Sequence, residues 1–419
     1  MDRRRGPGCG AAESGPRMGH GLDPTARRMV ECRNGIRSAS CRSLAMTADA
    51  GVIGQPDAAA DGAVGSPTPD GRSRRPPPVY AALDLGTNNC RLLVARPQGP
   101  GFHVIDAFSR IVRLGEGVAR TGRLTPAAVD RTIEALAVCA DKMRRRGANR
   151  HRLVATEACR RAVNCEAFLD RVVCETGLAL EIITTHEEAL LALAGCAPLL
   201  DPGRPYALVF DIGGGSTELT WVLQDRTGAP RLIGVISLPV GVVNLSERYG
   251  GALVTPALYA AMVDEVAAML APFEAAHAIA PRVADGAVQM LGTSGTVTTI
   301  AGVKMGLPRY NRRRVDGTRL RFDDIDEISA DLAAMSNDDR VSEPCIGRER
   351  ADLVVAGCAI LAAICRCWPV GTLRVADRGV REGILLSLIA ADGARRRGGR
   401  RPRHRRHGEA VCHVARPEP

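Results

Sequence analysis

The sequence predicts an α/β fold made of two comparable halves. Apolar runs typical of strands alternate with segments of helical periodicity from residue 78 to residue 392. A strand–turn–strand segment that begins at residue 82 recurs at residue 209. Of the 419 residues, 45% are hydrophobic and 24% are charged, which is the balance of a globular protein. These three observations favour a folded chain with an internal repeat.

The strands predicted in the first half are short apolar runs: 79–84, 90–95, 153–156 and 180–184. A helix is predicted for 126–146, because Thr125 is a good N-cap and Gly147 can end the helix. A second helix is predicted from residue 165, with Asn164 as its N-cap. The first half therefore alternates between the two kinds of element.

The second half restarts the pattern. Its predicted strands are 206–211, 218–224 and 231–238. Its predicted helices are 256–277, 322–335, 350–367 and 381–391. This order of elements is typical of a second α/β unit of similar size.

The net charge of +10 is carried by the two ends of the chain. Residues 1–77 hold 12 Lys and Arg against 8 Asp and Glu, and residues 393–419 hold 9 against 2. The residues between them are close to neutral, which excludes nucleic-acid binding by the whole chain. Aromatic residues make up only 3%, which argues against base-stacking surfaces. We therefore expect no specific nucleic-acid partner.

Composition also divides the chain into domains. Residues 1–77 lack a hydrophobic period and residues 393–419 are rich in arginine, so both ends are predicted to be disordered. The two halves then form a first domain at 78–195 and a second domain at 196–392. The chain has no run of 18 apolar residues and no secretory apolar region, so we expect no membrane partner. A cytoplasmic location with free thiols follows.

The most informative feature is the internal repeat. Residues 82–91 align with residues 209–218, and each copy is an apolar strand, an Asp and a glycine-containing turn. The aspartates are Asp84 and Asp211. Backbone N–H groups of such turns bind phosphate oxygens, and a carboxylate there can hold a hydrated metal ion. One such turn is usually a tight hairpin, but the repeat and three consecutive glycines favour two phosphate loops facing one substrate.

Three further segments carry possible chemistry. The loop 291–296 follows an apolar strand and offers N–H and hydroxyl donors, although it lacks the lysine of a P-loop. Glu187 and Glu188 precede an apolar helix; one would complement the helix dipole and the other would act as a general base. Of Arg160 and Arg161, one is expected to bind phosphate and the other to be a surface cation.

Six segments occur in the order and approximate spacing of a known family: DLGTNNCRLLV (84–94), ATEACRRAVN (155–164), HEEA (186–189), FDIGGGSTEL (210–219), LGTSGT (291–296) and ADRGVREG (376–383). Residues 78–392 resemble the exopolyphosphatase / guanosine pentaphosphate phosphatase family. This family lies in the superfamily of sugar kinases, heat-shock chaperone ATPases and actin. The resemblance implies an α/β fold of two actin-like (ribonuclease H-like) domains with an active-site cleft between them.

The resemblance also implies roles for individual residues. Glu188 would be the catalytic base that orients a water molecule at the terminal phosphate. Asp84, Asp211 and Glu218 would serve Mg²⁺, with Mn²⁺ as the alternative metal. The residues expected to bind phosphate are Asp84, Gly86, Thr87, Asn88, Arg91, Arg160, Gly213, Gly214, Gly215, Ser216, Thr217, Gly292, Ser294, Gly295 and Thr296.

We therefore expect a homodimeric enzyme that releases terminal phosphate from inorganic polyphosphate by Mg²⁺-dependent water attack. A pppGpp 5′-phosphohydrolase, acting on guanosine pentaphosphate to give the tetraphosphate, is an alternative that the sequence does not separate from it. A non-catalytic sensor of (p)ppGpp or polyphosphate is a rival from another class, but Glu188, Asp211 and Glu218 argue against it. A sugar kinase shares the implied fold and fits the motifs less well.

Overall fold

The computed structural model describes residues 77–224 and 230–398, which lie in one compact unit of the chain. Its strands are β1 (Tyr80–Leu85), β2 (Asn89–Gln98), β3 (Gly101–Ile111), β4 (Arg150–Ala155), β5 (Glu181–Ile182), β6 (Tyr206–Ile212), β7 (Thr217–Gln224), β8 (Pro230–Leu238), β9 (Val288–Thr293), β10 (Arg319–Arg321) and β11 (Thr372–Ala376). Its helices are α1 (Val118–Thr121), α2 (Pro126–Arg145), α3 (Glu157–Arg161), α4 (Cys165–Thr176), α5 (Thr185–Cys196), α6 (Val242–Tyr249), α7 (Pro256–His277), α8 (Ile279–Ala284), α9 (Gly295–Lys304), α10 (Arg312–Val315), α11 (Phe322–Ala334), α12 (Asn337–Ser342), α13 (Val354–Cys367) and α14 (Val380–Gly398).

The strands form two sheets of similar topology. The first sheet has the order β3-β2-β1-β4-β5, and the second has the order β10-β11-β9-β6-β7-β8. Strand β1 pairs antiparallel with β2 and parallel with β4, and strand β6 pairs in the same way with β7 and β9. The repeat in the sequence is therefore also a repeat of topology, as predicted.

The repeat holds at the level of strand register. Asp84 of β1 lies opposite Arg91 of β2, and Asp211 of β6 lies opposite Glu218 of β7. Both aspartates lie near the carboxyl ends of their strands, next to the turns that lead into β2 and β7. Ligands of open α/β sheets bind outside the carboxyl ends of the strands. The fold thus places both copies of the repeat where a ligand site is expected.

Helix α2 covers one face of the first sheet together with α4, and local signals explain its limits. The Thr125 hydroxyl accepts a hydrogen bond from the Ala128 N–H at 3.3 Å, and Gly147 adopts a positive φ of 65° just beyond the last turn. Ile133 and Leu136 are buried in the first core. Truncating such a leucine to alanine costs about 2–5 kcal/mol in other proteins.

Helix α4 begins where the sequence predicts, but its cap differs. The side chain of Asn164 makes no cap hydrogen bond to the helix. Instead, its amide accepts a hydrogen bond from the Leu124 N–H at 2.8 Å and donates one to the Leu124 carbonyl oxygen at 3.0 Å. Asn164 is the N-cap residue of α4, as predicted, but its side chain satisfies the loop before α2 and not the helix.

Helices α5 and α14 pack on the other face of the first sheet. Ile384 of α14 is buried there against first-sheet residues such as Tyr80. Helix α5 also reaches the second sheet, where Leu193 and Cys196 are buried with Val209. We call the first sheet with the helices packed on it the first lobe, and the second sheet with its helices the second lobe. The chain therefore returns to the first lobe at its end, whereas the expected second domain ran to residue 392.

Helix α14 runs to Gly398, so residues 393–398 are helical where the sequence predicts a disordered tail. The apolar face that includes Leu388 and Ile389 packs on the cluster that α5 and α14 form with the first sheet, and the helix continues from that packed segment. The predictions for residues 1–76 and 399–419 lie outside the described residues.

Helices α7, α9, α11 and α13 pack around the larger core of the second sheet. Trp368, at the end of α13, is fully buried in this core. Its indole Nε1 donates a hydrogen bond of 2.6 Å to Oε2 of Glu274, and its ring meets Phe273 edge-on at 6.3 Å between centroids. The indole therefore anchors α13 to α7 through both apolar and polar contacts.

Helix α7 is long and apolar enough, by length and composition alone, to cross a membrane. The helix carries Asp264 and Glu265, which form ion pairs with Arg366 and Arg248 at 2.8 and 2.7 Å. One such helix is only a weak indication of a membrane span, since core helices of globular proteins meet the same criterion.

Several elements were missed or shifted by the sequence prediction. Strand β3 has a mixed, half-exposed pattern without clear alternation, and β10 has only three residues. Helix α13 begins at Val354 rather than at residue 350. The ten cysteines of the described residues are free thiols, as expected, and Cys90 and Cys139 lie in contact with 3.9 Å between their sulfur atoms.

Candidate active site

A cleft with about 930 Å³ of empty space opens beside the carboxyl ends of β1 and β6. Residues from both lobes line it. Most of the residues predicted to bind phosphate are among them: Asp84, Gly86, Thr87, Asn88, Arg91, Gly213, Gly214, Gly215, Ser216, Ser294, Gly295 and Thr296. Glu188 and Asp211 line the cleft as well. The fold thus brings together segments that are more than 200 residues apart in the sequence.

The two copies of the repeated turn touch each other in the cleft. A Cβ atom added to Gly214 would lie 3.0 Å from Cβ of Thr87 and 3.1 Å from the backbone nitrogen of Asn88. A Cβ atom added to Gly215 would lie 2.8 Å from Oγ1 of Thr87. Glycine is therefore required here because any side chain would push the two turns apart. Close approach of the two backbones presents N–H groups from both lobes to one ligand.

Two amide side chains of the first turn have an unused acceptor. The Oδ1 atoms of Asn88 and Asn89 are buried and accept no hydrogen bond from the described residues. Both residues line the cleft. An unpaired buried acceptor costs about 1–3 kcal/mol, so a ligand or water that donates to these atoms would be stabilising.

Asp84 and Asp211 are partly buried carboxylates in the cleft. Burial raises the pKa of Asp84, and Arg91 and Arg381 oppose the shift. Burial, and then the nearby Glu218 carboxylate, raise the pKa of Asp211 to about 7, again against Arg91. Both groups are thus disfavoured as bare anions, and a bound cation would relieve this cost.

Glu188 lies in the first turn of α5, a helix that begins after an N-cap whose hydroxyl accepts from the N–H of Glu187 at 3.1 Å. Arg160 donates a hydrogen bond of 2.8 Å from Nη1 to Oε2 of Glu188. Burial raises the pKa of Glu188 well above its ordinary value, Glu218 adds to the shift, and Arg160 lowers the pKa. A carboxylate with a raised pKa is a stronger base near neutral pH.

The neighbouring Glu187 has a different environment. Its carboxylate pairs with Arg152, which also holds Glu181 through a hydrogen bond of 2.8 Å. Glu187 is not among the residues that line the cleft. The sequence left the choice between the two glutamates open. The geometry favours Glu188 as the group that faces a substrate.

Arg160 is used by the protein itself. Besides Glu188, its guanidinium donates to Oε2 of Glu157 at 3.1 and 3.2 Å and to the carbonyl oxygen of Ile183 at 3.0 Å. It does not line the cleft. Arg160 was expected to bind phosphate. In the structure its side chain lies beside the cleft and orients Glu188. Arg161 is 38% exposed and lies 3.9 Å from Glu157.

Three other arginines supply positive charge near the carboxylates. Arg91 lines the cleft, and its side chain forms no hydrogen bond or salt bridge with the described residues. Arg350 lines the cleft from the turn before α13 and is likewise unpaired within the described part of the chain. Arg381, in the first turn of α14, acts on the pKa values of both Asp84 and Asp211. The sequence prediction missed Arg350 and Arg381, although Arg381 lies in one of the family-like segments.

Three of the predicted site residues do not line the cleft and make contacts within the protein. Glu218 is 4% exposed, and its Oε1 accepts hydrogen bonds from Ser216 at 2.6 Å and Ser237 at 2.9 Å. The hydroxyl of Thr217 donates to the Val240 carbonyl oxygen at 2.7 Å. A Cβ atom on Gly292 would lie 2.5 Å from the Phe210 ring, so this glycine allows β6 and β9 to pack. None of the three is among the residues lining the cleft.

The third predicted loop is the start of a helix. The Ser294 hydroxyl caps α9 by accepting from the Val297 N–H at 3.1 Å. Gly295 and Thr296 in the first turn line the cleft, where helix N–H groups without intrahelical partners favour an anion. The sequence was right to place N–H donors here and missed the helix that provides them.

The lobes are also joined beside the cleft by an ion pair. Arg113 donates from Nη1 and Nη2 to the two carboxylate oxygens of Asp352 at 3.0 and 2.9 Å, and from Nη2 to the carbonyl oxygen of Glu349 at 3.1 Å. Such a bidentate pair fixes orientation as well as distance. It holds the segment that carries Arg350 against the first lobe.

The donor set also bears on a metal. Within residues 77–224 and 230–398, no three His, Cys, Asp or Glu side chains come close enough together to hold a metal ion by themselves. Magnesium usually keeps several waters and takes one or two carboxylates plus substrate phosphates. Asp84 and Asp211 fit that pattern because both line the cleft and burial raises the pKa of both carboxyl groups, so a bound cation would favour their ionised forms. Glu218 fits it less directly because two serine hydroxyls already bind it.

The cleft combines N–H donors and cations, which suit a phosphate chain, with a buried glutamate, and these are features that a phosphoanhydride hydrolase needs. A model of the Ppx/GppA phosphatase family matches residues 93–391, and the chain belongs to this family. The chain is therefore an enzyme of the phosphoanhydride hydrolase class.

Individual relatives agree with this assignment. The chain is 31% identical to Exopolyphosphatase 2 of Mycobacterium tuberculosis, with 74% of this chain and 98% of that protein covered. It is 28% identical to the Guanosine-5'-triphosphate,3'-diphosphate pyrophosphatase of Aeromonas salmonicida, covering 74% of this chain and 60% of that protein. The crystal structure of the Aquifex aeolicus Ppx/GppA family member matches with a TM-score of 0.63 at 29% identity, over 76% of this chain and 99% of that one. The predicted fold of two actin-like lobes around a cleft is confirmed.

Proposed function

We propose that this enzyme hydrolyses the terminal phosphoanhydride bond of inorganic polyphosphate, with Mg²⁺ and with water activated by Glu188. The observation that carries the proposal is the Glu188 carboxylate, which lines the cleft with a raised pKa while Arg160 holds it in place. Similarity to an exopolyphosphatase over 98% of that protein's length supports the choice of substrate.

Substrate binding follows from the charges of the cleft. A polyphosphate end is densely anionic, and the unpaired Arg91 and Arg350 guanidinium groups can bind its oxygens from opposite lobes. The N–H groups of the Gly213–Gly215 turn and of the first turn of α9 add neutral donors. These contacts would position the polyphosphate so that its terminal phosphorus atom faces Glu188.

Asp84 and Asp211 would hold Mg²⁺, which when bound supplies positive charge to the phosphate oxygens and the leaving group. These carboxylates themselves lie at matching positions of the two lobes, so they approach a ligand from both sides of the cleft. Side chains of the protein carry out the proton transfer and the positioning of the water.

Glu188 would take the proton of the attacking water. As the bond between water oxygen and terminal phosphorus forms, the bond from that phosphorus to the bridging oxygen breaks; the shortened polyphosphate leaves with the bridging oxygen, and orthophosphate is released. Arg160 keeps one carboxylate oxygen fixed, so the other is available to accept the proton. Correct in-line placement supplies most of the acceleration in reactions of this kind.

A pppGpp 5′-phosphohydrolase is the second candidate. The name of the Aeromonas salmonicida relative favours it. A non-catalytic sensor would not need a base with a raised pKa. We also propose a homodimer in the cytoplasm; light scattering on the purified chain and fractionation of cells would test these two predictions.

Phosphate release from long polyphosphate, pppGpp and ATP, measured side by side with Mg²⁺, tests the proposed substrate. We expect the highest kcat/KM for polyphosphate. A higher kcat/KM for pppGpp would replace the first candidate by the second, and no release from any of the three substrates would contradict both.

A further inference from the structure

A second cationic pocket lies at the end of the second sheet that is opposite the cleft. We call it the basal pocket and define it by Asp201, Arg204, Gln289, Arg319 and Arg374, which line about 740 Å³ of empty space. These residues belong to the amino-terminal part of β9, to β10 and β11, and to the segment before β6. The cleft lies near the carboxyl ends of β6 and β9, roughly 17 Å away along a strand with about 3.3 Å per residue.

The charges of the basal pocket are unbalanced. Three arginines face one carboxylate, that of Asp201, which lies 3.7 Å from Arg319. Arg319 and Arg374 are direct cross-strand partners on the antiparallel pair β10–β11. Like charges directly opposite each other destabilise a sheet, so this arrangement lowers stability unless an anion lies between them.

One donor of the pocket is unused. The Nε atom of Arg374 is buried and donates to no described residue, while Nη1 donates to the Leu199 carbonyl oxygen at 2.5 Å. The guanidinium is therefore fixed in place with a free N–H group. A buried unpaired donor of this kind is costly, and a bound oxyanion would satisfy it.

The wall of the pocket is preorganised. Asp201 donates its N–H to Oε1 of Gln289 at 2.7 Å and accepts from Nε2 of Gln289 at 2.8 Å on its carbonyl oxygen. Arg204 donates to the carbonyl oxygen of Gly286. The loop before β6 is thereby tied to β9, so the backbone of this wall is ordered before a ligand binds.

We propose that the basal pocket is a second anion site that binds a condensed phosphate group, as in a polyphosphate chain or a nucleoside triphosphate. Arginine forks match phosphate oxygens, and an excess of two positive charges suits an anion that carries several negative charges. The inference does not rest on the function of the cleft, because no residue is shared between the two sites.

The test is calorimetric titration of the full chain with tripolyphosphate in EDTA, where metal-dependent turnover is prevented. Binding is expected in the wild type and in Arg91→Gln, which alters only the cleft. It is expected to weaken by about tenfold or more when the double variant Arg204→Gln/Arg319→Gln is made in the Arg91→Gln chain, where binding by the cleft is already reduced, because two charge-assisted contacts are lost. Arg231→Gln, an exposed arginine of β8, is the matched control. Absence of binding in the wild type, or unchanged affinity in the double variant, would overturn the proposal.

A second variant separates binding from folding. Asp201→Asn keeps the backbone hydrogen bonds to Gln289 and removes the one negative charge of the pocket, so it is expected to bind tripolyphosphate more tightly. Unchanged or weaker binding by a folded Asp201→Asn chain would contradict the site. Titration with GTP in a parallel arm distinguishes a site for nucleotides from one for free phosphate chains. The readout is binding and not hydrolysis. The proposal for the basal pocket can therefore fail or succeed independently of the proposed hydrolysis of polyphosphate in the cleft.

Discussion

Arg160 holds Glu188 through a hydrogen bond of 2.8 Å from its Nη1 to Oε2 of the carboxylate. The same guanidinium is fixed by Glu157 and by the carbonyl oxygen of Ile183. The other carboxylate oxygen of Glu188 accepts no hydrogen bond from the described residues. One oxygen is therefore positioned by the protein, and the other is left for the proton of a water molecule.

The first prediction concerns the base. Glu188→Gln removes the proton acceptor and keeps the size of the side chain, so kcat should fall by about 10²–10⁴ while KM changes little. Glu187→Gln is the matched control, because Glu187 lies in the same turn and pairs with Arg152 outside the cleft. Steady-state kinetics on polyphosphate checks both variants. Equal loss in the two variants would contradict the assignment of the base.

The second prediction concerns pH. Glu188 must be ionised to accept a proton, and its charged neighbours are Arg160, which lowers its pKa, and Glu218 and Asp84, which raise it. Arg160→Gln removes the group that lowers the pKa, so the acid limb of the kcat profile should move to higher pH. Arg160→Lys should move it less, because it retains the positive charge.

Arg161→Gln is the control for this profile, since Arg161 follows Arg160 on α3 and does not contact Glu188. A merely structural role of Arg160 would lower kcat by the same factor at every pH. An acid limb that stays in place in Arg160→Gln would therefore rule out its electrostatic effect on Glu188.

The third prediction concerns the metal. Mg²⁺ should raise the Tm of the wild type, because it neutralises Asp84 and Asp211, which are disfavoured as bare anions. Asp211→Asn should reduce this increase and require more Mg²⁺ for activity, since a hard cation prefers anionic oxygen ligands. Asp264→Asn, an exposed aspartate on α7, is the control. Identical Mg²⁺ titrations for Asp211→Asn and wild type would remove Asp211 from the metal site.

The fourth prediction concerns substrate binding. Arg91→Gln should raise KM for polyphosphate by about tenfold or more, since a hydrogen bond to a charged group contributes about 1.5–3 kcal/mol. Arg96→Gln is the matched control, because Arg96 lies on the same strand and is exposed. A KM that rises equally in both variants would indicate a general charge effect rather than a contact in the cleft.

Local signals account for the part of the fold that the sequence could predict. The Thr125 cap defined helix α2, and the repeat around Asp84 and Asp211 defined the first strands of both sheets. Strand β3 and helix α14 were harder, because a half-exposed strand lacks clear alternation and the return of α14 to the first lobe depends on tertiary packing.

The candidate site shows the same limit. The turns could be predicted because glycine and aspartate mark them in sequence, whereas the partner of Arg160 could not be predicted. Its ion pair with Glu188 joins positions 28 residues apart, and only the folded chain shows that this arginine is not free for phosphate. Arg350 carried no local signal either, and it reaches the cleft only through the packing of the second lobe.

The most direct test of the mechanism is a single turnover of tripolyphosphate in water enriched in ¹⁸O. Attack of a water molecule at the terminal phosphorus predicts that the released orthophosphate carries the label and that the remaining diphosphate carries none. Label in the diphosphate, or release of unlabelled orthophosphate, would contradict the account.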